Sequence, residues 1–352
     1  MEKLKENSRI SYLDVAKGIG IILVVMGHTG FLKDAVSKYI FSFHMPLFFV
    51  ISGMLINLKH EENKDFGETI RKKAKALLIP YLSFSVIYII ISLVENYFGV
   101  MSKEELIQGI IYMCTFYGDS TLWFLPALLI SEVLFIFLMK RMKGQLVLII
   151  SVLSGVIAFT VQTLITPVWA SHTDSLLIVN LIDFLRVFLR GIIAESFVVF
   201  GFFGYKYIAD SKNNKLLDLA KGIALLSLTF GVSYFNDTVD FHRVVLGNYA
   251  SFLLAGILGS FGIIILSKAM ENVRILTYFG RNSLIVMCTH LRFYVLFGAI
   301  NLAFLVNMYV TRAKDYIFML VVLVSSFLLE ALIIEIIVRF LPFLIGKSNK
   351  KC

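Results

Sequence analysis

Long apolar runs separated by short polar segments make up most of the chain, and they predict a bundle of membrane-spanning helices. A helix needs about 20 apolar residues to cross a hydrocarbon core about 30 Å thick. Runs of this kind predict ten spans, near residues 11–30, 40–58, 76–95, 122–139, 145–163, 190–208, 217–235, 247–268, 283–306 and 316–341. The segment 174–189 mixes Asp183 and Arg186 with apolar residues at helical spacing, which predicts an interfacial helix or loop.

The composition supports a membrane protein, because 58% of the residues are hydrophobic and the mean hydropathy is +0.84. Soluble domains average about 45–50% apolar residues. The longest polar stretches, 59–75 and 164–189, are too short to form a soluble domain, and no internal repeat is evident. The first run lacks a small-residue cleavage site, which favours a retained span over a signal peptide. We therefore predict that residues 1–352 form one all-α integral membrane domain.

The distribution of lysine and arginine predicts the orientation, since these residues accumulate in cytoplasmic loops. If the N-terminus is cytoplasmic, the inside segments hold most of the 33 lysines and arginines, including the group at 59–75 and the tail at 339–351. Both termini are then predicted to be cytoplasmic, with an even number of spans. The net charge of +9 reflects these loops, so the expected partner is the lipid bilayer and not nucleic acid.

The first helix carries three ionisable residues, Asp14, Lys17 and His28. Ionisable groups inside spans are costly and mark functional sites or buried pairs. At about 100° per residue, Lys17 and His28 share a face, and Asp14 falls within roughly 40° of it. Asp14 and His28 are separated by about 21 Å along the axis, which excludes a direct pair. We expect Asp14 to pair with Lys17 at i,i+3, and His28 to find any orienting partner on another helix.

His44 is the predicted candidate for that partner. The loop 31–39 is short, and Pro46 suits the first turn of the second helix, so His44 lies near the depth of His28. The alternative is that His44 is a hydrogen-bonded structural histidine. Two imidazoles are too few ligands for a metal site, so no metal is predicted, and general-base chemistry is the more economical interpretation.

The ninth span contains His290 and Arg292, and the tenth contains Glu330. Arg292 and Glu330 have similar predicted depths, which suggests a buried ion pair that would offset the cost of each charge. His290 either lines the same interior or is a structural histidine. Glu132 and Glu195 are further acids within spans, and the sequence assigns them no partner.

A basic cluster begins the third span, where Arg71, Lys72 and Lys75 are candidates to hold a phosphorylated donor. The alternative is that these residues only set the topology. Trp123 starts the fourth span, and taken alone it is expected to be one of the aromatic residues that line a membrane interface.

Two motifs in the first two spans carry a family resemblance: YLDVAKGI followed by VVMGH at 12–28, and SFHMPLFFVISG at 42–53. Weaker matches occur at 71–81, 122–125, 200–205 and 280–290. Together they resemble the acyltransferase-3 family, the integral-membrane O-acyltransferases that modify bacterial surface sugars. Lys17 stands where the family often has arginine. Lysine at this position is usual in the branch that resembles fucose-acetylase-like proteins, so the chain resembles that branch.

The resemblance implies ten transmembrane helices in the cell membrane and an acyl-CoA donor, usually acetyl-CoA, reached from the cytoplasm. It implies a glycan or glycolipid hydroxyl as the acceptor. The essential first-helix histidine of the family falls on His28, which would remove the proton from the acceptor hydroxyl, while His44 would orient it or stabilise the oxyanion. A covalent acyl-histidine is the other possible route.

Two other classes of protein remain open from the residues alone: a transporter or flippase for a lipid-linked sugar or small molecule, and a non-catalytic sensor or assembly partner. A transporter would also carry ionisable residues inside its spans. The missing repeat and the paired motifs favour the enzyme.

An assay with radiolabelled acetyl-CoA on membranes separates these classes. We expect label to enter surface glycan, because an acyltransferase moves the acyl group itself. Movement of a substrate without acylation would identify a transporter instead.

Overall fold

The structure is a computed structural model that describes residues 10–209, 214–270, 273–310 and 315–347. The side chains at 307–310 and 315–316 are not described. Both chain ends, including Arg9 and Cys352, lie outside these ranges, as do Lys212 and Arg312. The cytoplasmic location of the termini therefore stays a prediction.

Thirteen α-helices make up the described part of the chain, joined in places by short 3-10 turns. Their bounds are α1 Ser11–Gly27, α2 Asp34–Leu58, α3 Phe66–Tyr97, α4 Lys103–Cys114, α5 Phe124–Arg141, α6 Gly144–Ser171, α7 Leu176–Ala209, α8 Lys215–Tyr234, α9 Tyr249–Ala269, α10 Arg274–Arg281, α11 Ser283–Thr289, α12 Val295–Val310 and α13 Asp315–Phe340.

Seven of these helices are long and apolar enough to cross a membrane: α2, α3, α5 with the turn before it, α6, α8, α9 and most of α13. The predicted class, an all-α membrane protein, is therefore confirmed. The count of ten spans stays a prediction, since α1 has only 17 residues and α12 is a shorter apolar helix.

Of the two alternatives predicted for 174–189, a helix or a loop, the structure shows the helix, since from Leu176 onward the segment forms the first part of the continuous helix α7. Its interfacial position stays a prediction. Asp183 and Arg186 lie one turn apart and form a salt bridge of 2.7 Å inside the bundle. Arg186 also donates to the Gln162 side chain of α6 at 3.4 Å. The two charges are therefore compensated within the protein.

The predicted span at 283–306 is wrong as a single helix. Helix α11 ends at Thr289, and the chain turns through 290–294 before α12 begins at Val295. Tyr294 adopts a left-handed conformation with φ of 58° in this turn. His290 and Arg292 therefore lie at a helix break, where their side chains can reach groups that a straight helix would not present to them.

Two pairs of helices cross with their backbones in contact. A Cβ at Gly53 of α2 would overlap the carbonyl oxygen of Val198 in α7, and one at Gly201 would overlap that of Val50. Helices α1 and α10 cross in the same way, where Gly280 meets the carbonyl oxygen of Asp14. These crossings fix α1 and α2, the two helices that carry the predicted histidines.

The helices bring two sets of loops to opposite ends of the bundle. We call one the His28 end, which gathers residues 28–33, 115–123, 235–248 and 290–294. Within it, Thr121 donates to the carbonyl of Met287 at 2.6 Å, and Arg292 meets Asp119. We call the other the Lys73 end, which includes 59–65 and the first turns of α3.

We expect Gly53→Ala to lower the free energy of unfolding by about 1–3 kcal/mol, because the new methyl group meets backbone that cannot move aside easily. The measurement is chemical or thermal unfolding of the purified protein in detergent. Gly231→Ala in α8 is the matched control, since nothing lies within 4 Å of a Cβ at that position. Equal stability of the two variants would contradict the backbone contact.

Candidate active site

His28 and His290 meet at the His28 end. Nε2 of His290 lies 3.2 Å from Nδ1 of His28, and the two ring centroids are 5.1 Å apart. His28 directly follows the last residue of α1, and His290 directly follows the last residue of α11. His290 is fully buried, whereas His28 is half-buried and remains partly accessible. The pair thus combines a protected imidazole with one that a substrate can reach.

The hydrogen bonds of this pair determine which nitrogen of His28 can act as a base. Nδ1 of His290 lies 2.7 Å from the carbonyl oxygen of Val286, which can only accept, so this nitrogen carries a proton. In the neutral ring, Nε2 of His290 then has the lone pair and accepts from Nδ1–H of His28. We infer that Nε2 of His28 carries the lone pair in neutral His28 and is the candidate proton acceptor.

Side chains from other helices stabilise the break that positions His290. Tyr88 of α3 donates to the carbonyl of Cys288 at 2.5 Å, and Thr121 bonds the carbonyl of Met287. These donors occupy carbonyls that lose their helical partners where α11 ends. Thr289 donates to Glu330 at 2.7 Å, which connects the break to α13. The orientation of His290 is therefore set by three neighbouring segments.

His44 lies near the pair without being the hydrogen-bond partner of His28. Its Nδ1 faces the carbonyl oxygen of Ile40 at 2.8 Å, one turn earlier in α2. The ring of Phe41 packs against His44 and against His28, with centroid distances of 4.9 Å and 6.2 Å. The sequence placed His44 at the correct end of the bundle, but the observed partner of His28 is His290.

The predicted Arg292–Glu330 pair is wrong. Arg292 forms salt bridges with Glu95 at 3.1 Å and with Asp119 at 3.4 Å, and Ser92 bonds it as well. Glu330 instead accepts from Thr289. The prediction assumed a straight ninth helix, whereas the turn at 290–294 directs Arg292 toward the end of α3.

The polar stripe of α1 is confirmed at its first two residues. Lys17 and Asp14 form a salt bridge of 2.9 Å. Arg281, at the end of α10, adds a second contact to Asp14 at 3.1 Å. Reasoning within one helix could not find Arg281, although it lies in the weak motif at 280–290. The crossing of α1 and α10 brings it there.

At the Lys73 end, the lysine that faces the interior of the bundle is not one of the predicted residues. Lys73 bridges Glu61 at 2.7 Å and Glu132 at 3.2 Å, and Ser52 also bonds Glu132. The predicted residues Arg71, Lys72 and Lys75 are all exposed, and Lys72 pairs with Glu68 of its own helix. The helical turn of about 100° per residue places Lys73 on the inner face when Arg71 and Lys75 face outward.

The last unassigned acid also has a partner inside the bundle. Glu195 of α7 accepts from Ser151 of α6 at 2.6 Å. This contact lies between two helices that are neighbours in sequence and pack together. Glu195 is thus accounted for as part of the packing of α6 against α7.

A cavity of about 190 Å³ lies among α1, α2, α3, α5 and α11. Its wall is mostly apolar, and Phe124 and Met287 contribute to it. Lys17, Ser52, Glu132 and Ser283 supply its polar groups. Met287 precedes His290 by three residues, so the wall of the cavity comes within one helical turn of the histidine pair, although neither His28 nor His290 lines it.

Trp123 packs inside the bundle at the His28 end, and its predicted depth at the membrane interface stays a prediction. It is buried, and its ring stacks on His242 with centroids 5.7 Å apart. The guanidinium carbon of Arg190 lies 5.7 Å from the centroid of the same indole ring. No signal in the sequence indicates Arg190 or His242 as neighbours of Trp123, since they come from α7 and from the loop before α9.

The fold and this site define a membrane-embedded protein with a histidine pair beside an internal cavity. The sequence profile of the acyltransferase-3 family, described as an acyltransferase domain, matches residues 10–335. The match covers most of the chain. The chain therefore belongs to the acyltransferase-3 family and carries its acyltransferase domain on an all-α membrane fold.

One relative among curated proteins is Nodulation protein NolL of Mesorhizobium japonicum. It is 32% identical over 173 residues, which cover 46% of this chain and 44% of that protein. The chain thus spans less than half the length of this curated relative. No solved structure matches the chain.

We expect Arg292→Gln and Glu95→Gln to be strongly non-additive, with a coupling of about 0.5–3 kcal/mol, because each removes the same buried ion pair. The measurement is a double-mutant cycle on the free energy of unfolding in mixed micelles. The matched cycle of Arg292→Gln with Glu330→Gln is expected to be additive within about 0.5 kcal/mol. Coupling in the second cycle and additivity in the first would reverse the assignment.

Proposed function

We propose that this membrane acyltransferase moves an acetyl group from cytoplasmic acetyl-CoA to a hydroxyl of a cell-surface or lipid-linked glycan, and that it works in the plasma membrane. The observation that carries the proposal is the His28–His290 pair beside the internal cavity, with one imidazole nitrogen available as a base. The family membership supports acyl transfer, and the resemblance in the first two helices supports the donor and the acceptor class.

The donor is assigned to the Lys73 end. The exposed cations Arg71, Lys72 and Lys75 would attract the phosphates of CoA at the mouth. The pantetheine arm would follow the apolar wall of the cavity past Lys17. Lys17 and His28 are separated by about 16 Å along α1, so only an extended arm brings the thioester to the histidine pair.

His28 is assigned as the general base. Its Nε2 takes the proton from the acceptor hydroxyl while the hydroxyl oxygen bonds to the thioester carbonyl carbon. The carbon–sulfur bond then breaks, the sulfur leaves with the electron pair, and the imidazolium returns the proton to it. No other reactant is needed, since the products are the acetyl ester and free CoA.

His290 is a positioning residue in this scheme. Its Nε2 accepts from Nδ1–H of His28, which holds the ring in the reactive tautomer and stabilises the imidazolium that forms. His44 lies at the same end but is not assigned to the oxyanion, because its Nδ1–H donates to the carbonyl of Ile40 and the neutral ring then has only a lone pair at Nε2.

We expect His28→Ala to reduce acetyl transfer by about 100-fold or more, because general-base catalysis contributes a factor of that size. The measurement is transfer of label from radiolabelled acetyl-CoA to the glycolipid fraction by the purified protein in nanodiscs. His172→Ala is the matched control, since His172 is exposed at the end of α6, a helix that contributes no residue to the cavity wall.

His290→Ala tests the positioning role separately. It is expected to lower the turnover rate and to shift its pH profile, while the KM for acetyl-CoA changes little. Full transfer activity of His28→Ala would overturn the catalytic assignment. An unchanged pH profile in His290→Ala would remove the positioning role alone.

A further inference from the structure

Arg190 of α7 is a buried cation that has no carboxylate within salt-bridge distance in the described ranges. Its side chain is 1% exposed. One nitrogen, Nη1, donates to the carbonyl of Tyr117 at 3.0 Å. Nε and Nη2 are both buried and have no hydrogen-bond partner among the described residues. A guanidinium in an apolar interior is costly unless its charge and its donors are matched.

Aromatic side chains and a histidine surround these free donors. The guanidinium carbon of Arg190 lies 4.3 Å from the ring centroid of Tyr117, and Trp123 lies on another side. His242 contacts the rings of both Tyr117 and Trp123, with centroid distances of 5.0 Å and 5.7 Å. Its Nε2 is likewise buried and without a partner in the described part of the chain. His242 as a whole is half-buried, so the cluster reaches the surface there.

The nearby acids do not neutralise Arg190. Asp183 forms its salt bridge with Arg186, and Asp240 lies 3.9 Å from Arg243. His242 lies outside the membrane-spanning helices, and burial together with the neighbouring arginines lowers its pKa well below its usual range. His242 is therefore neutral, and the cluster keeps one positive charge in excess.

The cluster lies beside the reaction site. Trp123 directly precedes Phe124, which forms part of the cavity wall. Asp240 lies within electrostatic range of both His28 and Arg190. A group bound at Arg190 would thus sit at the same end of the bundle as the base, on the side opposite the donor mouth.

We propose that Arg190, His242, Tyr117 and Trp123 form a subsite that binds an oxyanion, a carboxylate or a phosphate, on the acceptor glycan. An oxyanion accepts from Nε and Nη2 of Arg190 together, in the two-pronged geometry that guanidinium groups favour. It also neutralises the excess charge. The identification of the bound anion as part of the acceptor rests on the proposed function. The anion site itself follows from the buried donors of Arg190.

The two tryptophans of the chain make the subsite directly observable. Trp169→Phe leaves Trp123 as the single tryptophan and keeps an aromatic ring beside Arg186. This variant, in phosphatidylcholine nanodiscs, is titrated with methyl glucuronide, methyl glucoside 6-phosphate and the neutral methyl glucoside. We expect a saturable change of Trp123 fluorescence with an anionic sugar, at an affinity at least about tenfold above that of the neutral sugar.

Arg190→Gln in the same background is expected to weaken binding of the anionic sugar by at least about tenfold, because it removes the charge and the paired donors. Arg243→Gln is the matched control, since it removes one exposed positive charge from the same end of the bundle. It is expected to leave the affinity within about twofold. If Arg190→Gln does not fold, Arg190→Lys tests the two-pronged geometry, and we expect weaker binding there as well.

The outcomes separate the alternatives. A preference for the glucuronide indicates a carboxylate-bearing acceptor, and a preference for the 6-phosphate indicates a phosphorylated one. Equal affinity for neutral and anionic sugars, no saturable response to any of them, or an unchanged affinity in Arg190→Gln overturns the inference. Because fluorescence needs no acyl transfer, a failure of the proposed activity leaves this result standing, and the reverse also holds.

Discussion

Polar groups buried in an apolar helical bundle have no bulk water to bond with, so each must be matched by another group of the protein. Lys73 is held by Glu61 and Glu132, and Arg292 by Glu95 and Asp119. These contacts join helices that are far apart in sequence, and they determine which faces of those helices meet. Arg190 is a buried cation for which the described residues supply aromatic rings and one carbonyl but no acid. Arg190 thus differs from Lys73 and Arg292 in having no carboxylate partner among the described residues.

The features that could be predicted from the sequence are those that depend on the residues of one helix or one apolar run at a time. The phase and rise of α1 placed Asp14 beside Lys17 and excluded Asp14 as the partner of His28, and the Asp14–Lys17 contact is confirmed. The apolar runs predicted the class of fold, because length and hydropathy are properties of one segment at a time. His44 was placed at the correct end for the same reason, since a short loop connects it to α1.

The sequence could not predict which helices face one another. The partner of His28 is 262 residues away, and that of Arg292 is 197 residues away. Depth alone suggested Glu330 for Arg292, and the turn at 290–294 changed the direction of the side chain. The choice among the basic residues of α3 failed for a related reason, because four cations lie within the five residues 71–75 near the start of that helix. Only the packing of α3 against α5 shows that Lys73 faces inward.

The two histidines that lie near His28 make the same hydrogen bond to the backbone of their own helix. His44 and His290 each direct Nδ1 at the carbonyl oxygen four residues earlier, in Ile40 and Val286. The polarity of the hydrogen bond to His28 is therefore imposed by the main chain of α11 and not by a side chain that could itself change protonation. In evolutionary terms, position 290 is open only to side chains that accept a hydrogen bond from His28. Divergence of acceptor specificity is then expected to proceed elsewhere, through the loops at 115–123 and 235–248, while the base and its partner stay fixed.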